Sequence, residues 1–167
     1  MRVIRFIVLS FIIFFSLVTG LSLFFPSHVR VSRAIDISAP AARIHATIAG
    51  PENWRNWMPG AESSVLVYQD SAVNGIQMAN GHVLLLTSVT DSTVQVTGKE
   101  SSSIEASAGW NILGRGEDSF HTVQWYMDFY FDWYPWEKFA SLLLESRYGA
   151  NMEKGLQQLK IQCEQQP

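Results

Sequence analysis

Residues 6–25, FIVLSFIIFFSLVTGLSLFF, carry no charged side chain. A helix needs about 20 apolar residues to cross a hydrocarbon core about 30 Å thick, and this run has that length. Its polar side chains, Ser10, Ser16, Thr19 and Ser22, are scattered, so a helix built from it has no polar face to turn to water. Much of the imbalance between 47% hydrophobic and 16% charged residues is concentrated here. The run reads as a single-pass membrane anchor, dividing the chain into an anchor at residues 1–26 and a domain at 27–167. A cleaved signal segment is the competing reading, with Arg2 and Arg5 as its basic start and Val18-Thr19-Gly20 as a small-residue exit. Cleavage after Gly20 would leave LSLFF as a greasy new terminus, which argues for retention. Arg2 and Arg5 before the run nearly balance His28, Arg30 and Arg33 after it. Counting the amino group tips the N-terminus inwards and the domain to the non-cytoplasmic side.

Beyond the break at Pro26-Ser27 the hydrophobic period changes. Val29, Val31, Ile35 and Ile37 share one parity, as in a half-buried strand. Ser38 is placed to cap a following helix, Pro40 fits its first turn and Gly50 ends it, with Ile44 and Ile48 on one face. A second short helix is expected over residues 53–57, halted by Pro59 and Gly60. Several short strands follow, with tight turns expected at Asn74-Gly75 and Asn80-Gly81. Ile104, Ala106, Ala108, Trp110 and Ile112 alternate on one strand, and Val123, Trp125, Met127, Phe129 and Phe131 on the next. Short turns between consecutive strands imply an antiparallel sheet with one covered face and one wetter face. The spacing of Leu142, Gly149, Met152, Leu156 and Leu159 then predicts one long helix over residues 135–162. The expected class is α+β.

The order of strand, two short helices, antiparallel strands and long terminal helix matches the helix-grip fold, a curved sheet wrapped around the last helix. Ile35, Ile37, Ala39 and Pro40, then Trp54, Trp57 and Pro59, resemble the I-x-I-x-A-P and W-x-x-W-x-P opening of polyketide cyclase/dehydrase-like members of the START and Bet v 1-like (SRPBCC) superfamily. Val123-Gln124-Trp125 and the segment YGANMEKGLQQLK are similar to that group's V-x-W strand and closing helix. The resemblance spans residues 29–162 and includes members that begin with one membrane span. It implies an internal cavity for a hydrophobic small molecule or lipid, and it carries over no catalytic residue.

A cavity in this fold would be lined by the inward strand parity and one face of the terminal helix. The candidates are Trp110, Trp125, Met127, Phe129, Phe139, Leu143 and Met152, large or flexible apolar groups suited to a flat or greasy ligand. The opposing expectation is that the same side chains fill the core. Trp54 and Trp57 are expected to plug one end of the grip. His121 shares the inward parity and is the possible polar group of the cavity, while Asp128 and Asp132 are expected to be solvated carboxylates on the outer parity. The four histidines show no metal-ligand spacing, so neither a metal nor another cofactor is expected. Cys163 reads as an apolar filler. A net charge of −3 with no basic stripe argues against nucleic acid. The aromatic run from Phe129 to Trp136 has two readings, a hydrophobic corner or a segment in the membrane interface. Three functions follow: a membrane-tethered carrier of a hydrophobic ligand, a cyclase or dehydratase using His121 or Tyr126, and a protein-interaction module with a filled core.

Overall fold

The computed structural model describes residues 2–99, 105–114 and 120–165, so Ile104 lies outside the described residues. The chain opens with α1 (Arg2–Ser22), whose apolar side chains are exposed along its length. Its 21 residues and mean hydropathy of 2.3 are those of a helix long enough to cross a membrane. Then come β1 (His28–Ile37), α2 (Ala41–Ala49), a 3-10 turn at Pro51–Asn53, and α3 (Trp54–Trp57). Six further strands follow: β2 (Val65–Gln69), β3 (Ala72–Gln77), β4 (Val83–Thr90), β5 (Thr93–Lys99), β6 (Glu105–Leu113) and β7 (His121–Tyr130). Two helices close the chain, α4 (Pro135–Ala140) and α5 (Leu144–Gln165), joined by a 3-10 turn at Ser141–Leu143.

All neighbouring strands are antiparallel, in the order β1-β7-β6-β5-β4-β3-β2. The first strand pairs with the last one, a connection that α2, α3 and five strands separate in sequence. The α+β helix-grip architecture expected from the sequence is the one observed. The sheet's inner face carries Val31, Ile37, Val94, Val96, Trp110, Ile112, Val123 and Trp125, all buried. Against it lie α2 and α3 at one end and the buried face of α5 (Met152, Leu156, Leu159, Cys163) along β1.

Two glycines let α5 approach that closely. A Cβ on Gly155 would stand 2.7 Å from the Trp125 ring and 2.8 Å from Pro59, and one on Gly149 would stand 2.6 Å from the Arg33 guanidinium. Arg33, on the inward parity of the edge strand β1, donates to Glu153 at 2.6 Å and to Glu145, both on α5. These ion pairs are exposed and screened, so they orient the helix more than they stabilise it.

Three local expectations are corrected. The single terminal helix is divided at Ser141, whose hydroxyl donates to the Lys138 carbonyl at 2.6 Å, and α4 turns a different face to the protein from α5. No side-chain cap opens α2: Pro40 is its N-cap, while the Ser38 N–H donates to Glu164 at 2.8 Å. Asn74-Gly75 is not a turn but the middle of β3. The turn falls at Asp70 and Ser71, both in the left-handed region (φ 50° and 69°). Gly75 is needed where it is because a Cβ there would lie 2.0 Å from the Leu84 carbonyl on β4.

The core is densest where Trp54, Trp57, Trp110 and Trp125 meet, their ring centroids 5.4–6.1 Å apart. The Trp54 indole N–H donates to the Ile48 carbonyl at 2.7 Å, satisfying an acceptor at the end of α2 and tying α3 to it. Replacing Trp57, which is fully buried, by alanine should cost about 3–5 kcal/mol of stability. Urea denaturation of the two proteins measures that difference.

Candidate functional site

The register places the inner-face residues in rows across the sheet. One row runs Val31, Met127, Ala108, Val96, Leu86, and the next runs Val29, Phe129, Ala106, Gly98, Leu84. Both have the same profile, small residues (Ala108, Ala106, Gly98) in the middle and large apolar ones on either side. Such a profile sets a strip of small side chains between Met127 and Phe129 on one flank and Leu84 and Leu86 on the other, the lining that an apolar groove would need. Gly98, Ala106, Met127, Leu84 and Leu86 are only half-buried, although they face inwards. The helices therefore do not fully cover this part of the face. Tyr148 of α5, its ring 5.0 Å from that of Phe129, borders the groove on the helix side.

The adjoining row, Trp125, Trp110 and Val94, closes one end of the groove with the tryptophan cluster. Among the described residues, the indole N–H groups of Trp57, Trp110 and Trp125 are buried without an acceptor. An unpaired buried donor costs about 1–3 kcal/mol, so the packing of the cluster has to outweigh these three.

The expected lining residues divide into two sets. Trp110, Trp125, Phe129 and Met152 are buried and Met127 is half-buried, all in the layer between sheet and helices. Phe139 and Leu143 are corrected: they are 36% and 66% exposed, on α4 and the 3-10 turn, because the break at Ser141 takes them off the face of α5. Spacing along a single uninterrupted helix placed them inside, and the break could not be seen in that spacing. The groove floor itself, Gly98, Ala106 and Ala108, has no distinctive residue type and emerges only from the strand register. His121 is buried at the far end of β7, beyond the tryptophan row, with its Nδ1 3.0 Å from the Ala39 carbonyl. Trp54 and Trp57 are fully buried in the cluster. Cys163 is buried beside Thr47, and burial pushes its thiol pKa up, which keeps it protonated and unreactive.

The outer face differs from expectation. Asp128 is not a solvated carboxylate; it is 4% exposed. Arg30 holds it in a two-point pair, Nε to Oδ1 and Nη2 to Oδ2, both 2.8 Å, and His28 Nε2 lies 2.8 Å from Oδ1. The Arg30 guanidinium also lies over the Tyr126 ring at 4.5 Å, and the rings of His28 and Tyr130 stack at 4.8 Å. Strand parity identified the face but not this cover, which β1 provides across the β1–β7 ladder. The Arg30 hydrogen bonds, and after them His28, hold the Asp128 carboxyl below its ordinary pKa, outweighing the opposing effect of burial.

A family model described as polyketide cyclase/dehydrase and lipid transport matches residues 28–164. Among solved structures, a protein from Thermobifida fusca superposes with a TM-score of 0.64 at 20% identity, covering 80% of this chain and 91% of its own. Truncated norcoclaurine synthase from Thalictrum flavum gives 0.61 at 13% identity, over 84% and 96%. The di-domain ARO/CYC BexL of the BE-7585A biosynthetic pathway gives 0.58 at 17%, over 79% and 45%. At these identities the likeness is one of fold. No curated protein matches the chain.

Because the Asp128 pKa is depressed in the folded state, its contribution to stability is present above the unfolded value of about 3.9. It is lost as the pH falls through the lower folded value. Asp128→Asn should therefore be less stable than the parent at pH 7, with the gap shrinking at pH 3. Thermal melts at the two pH values read this directly, and a gap independent of pH would show that the charge is not what matters.

Proposed function

This chain belongs to the polyketide cyclase/dehydrase and lipid transport family, and from that premise we propose a membrane-tethered domain that binds a hydrophobic small molecule or lipid without transforming it. The tether is residues 6–25, most of them in α1, with the domain of residues 27–167 on the non-cytoplasmic side. The observation that carries the reading is the half-buried apolar strip around Gly98, Ala106 and Ala108, which we read as the floor of a ligand groove. Burying the exposed part of its walls against an apolar ligand gains about 25 cal/mol for each Å² removed from water. In this reading Met127 and Phe129 contact the ligand, Trp110 and Trp125 form the end wall, and Met152 adapts behind them. Trp54 and Trp57 serve packing.

Catalysis has less support. His121 lies beyond the tryptophan row with its ring bonded to a carbonyl, and Tyr126 is on the opposite face of the sheet beneath Arg30. Neither residue shares the groove, and no observation favours the interaction-module reading over binding.

The test uses the full-length chain in detergent and a fluorescent long-chain fatty acid as the probe. Ala106→Leu, which raises the groove floor, should weaken probe binding about tenfold or more, equivalent to about 1.4 kcal/mol, with little change in melting temperature. Organic extraction and mass spectrometry of the parent should also recover a bound apolar molecule. Unchanged affinity in the variant together with a clean extract would sink the proposal.

A further inference from the structure

The segment joining β7 to α5 is amphipathic in the reverse sense to a water-facing surface. In α4 and the turn that follows it, the charged and polar side chains point into the protein: Glu137, Lys138 and Ser141 are buried. Glu137 accepts the Asp132 N–H at 3.0 Å, and Lys138 donates to the Phe25 carbonyl at 3.4 Å and to the Ser27 hydroxyl. Its large apolar side chains point outwards instead. Trp133, Trp136, Leu142 and Leu143 are each 60–66% exposed. Trp133, Tyr134 and Trp136 form a ladder of rings 4.8–4.9 Å apart. In water this arrangement leaves apolar area unburied and gives the charges no solvent; beside a bilayer both choices are favourable.

The occupant of this surface is indicated by its neighbour. Phe139 packs edge-on against Phe25 at 5.2 Å, and Lys138 holds the backbone where the chain leaves α1, so the segment is fastened to the end of the apolar helix. Leu23 and Phe24, at the same junction, are exposed as well. The patch is thus continuous with the surface of a helix long enough to span a bilayer, and it lies where that helix ends. Tryptophan and tyrosine are the residues favoured at that depth. We propose that α4 and the Ser141–Leu143 turn form a foot that lies in the lipid interface, seating Trp133, Trp136, Leu142 and Leu143 among headgroups and upper acyl chains. This goes beyond the tether and rests on it, because α1 brings the foot to the membrane. The foot also sets the orientation of the domain. The groove row that begins at Val29 lies next to the first residue of β1, so the groove is held at the membrane-proximal end of the sheet.

Trp133 and Trp136 are well exposed, whereas the other four of the six tryptophans are at most 6% exposed. Full-length protein reconstituted in phosphatidylcholine vesicles should therefore lose tryptophan fluorescence when the acyl chains are brominated near the headgroup end. The double substitution Trp133→Phe with Trp136→Phe should abolish that loss. A carbonate wash of the same vesicles reports separately on α1. Protein retained after the wash and quenched only in the parent supports both tether and foot. Protein retained but equally quenched, or not quenched, in parent and double variant overturns the foot and leaves the tether standing. Protein released by carbonate yet quenched only in the parent keeps the foot and overturns the span. Release without quenching overturns both.

Discussion

The contact of four indole rings between the sheet and the helices is the constraint on which the other packing depends. Trp110 and Trp125 are neighbours across the β6–β7 ladder, and Trp54 and Trp57 bring α3 down onto them. Burying a ring of this size is worth on the order of 4–6 kcal/mol at 25 cal/mol per Å². Three unpaired indole donors cost about 1–3 kcal/mol each, so packing wins and the cluster holds despite them. Its position also dictates where α5 lies. The helix can press against Trp125 and Pro59 only through Gly155, where a side chain has no room. Arg33 then fixes the same helix at the sheet edge through Glu145 and Glu153.

Since α2, α3 and α5 all gather around this cluster and β1, the remaining inner face is less completely covered. The exposed apolar strip over β4, β5 and β6 is a consequence of that asymmetry, and its floor is low because Gly98, Ala106 and Ala108 are small. A solid core would place large side chains at those three positions. The same economy appears at the end of the domain next to α1, where α4 buries its charges and leaves its aromatics outside. Two departures from ordinary burial, a half-covered apolar face inside and an apolar patch outside, thus occur near the end of the domain from which α1 emerges.

Much of the fold was legible because it rests on local period. Alternation at Val123, Trp125, Met127 and Phe129 marks a strand with one covered face, and the Trp54-to-Pro59 segment marks a short helix that must stop. What failed was local in appearance and non-local in cause. Asn74-Gly75 has the composition of a turn, yet Gly75 is required by the approach of the Leu84 carbonyl from another strand. Phe139 and Leu143 share the apolar spacing of the terminal helix, but Lys138 is drawn inwards by a carbonyl and a hydroxyl more than a hundred residues earlier. Asp128 falls on the outer parity as expected, and only the pairing of β1 with β7 puts Arg30 and His28 over it.

By itself the sequence determined the apolar helix, the succession of strands and helices, and the set of large side chains that had to leave water. Those properties follow from periodicity and from the cost of exposing apolar surface, both read within a few residues. The tertiary structure alone decided which of those side chains share a surface. The proposed groove is written in the register of β4 to β7, and the proposed foot in contacts between α4 and the end of α1. Neither has a sequence signature, because alanine, glycine and an exposed leucine acquire meaning only from what stands beside them in space.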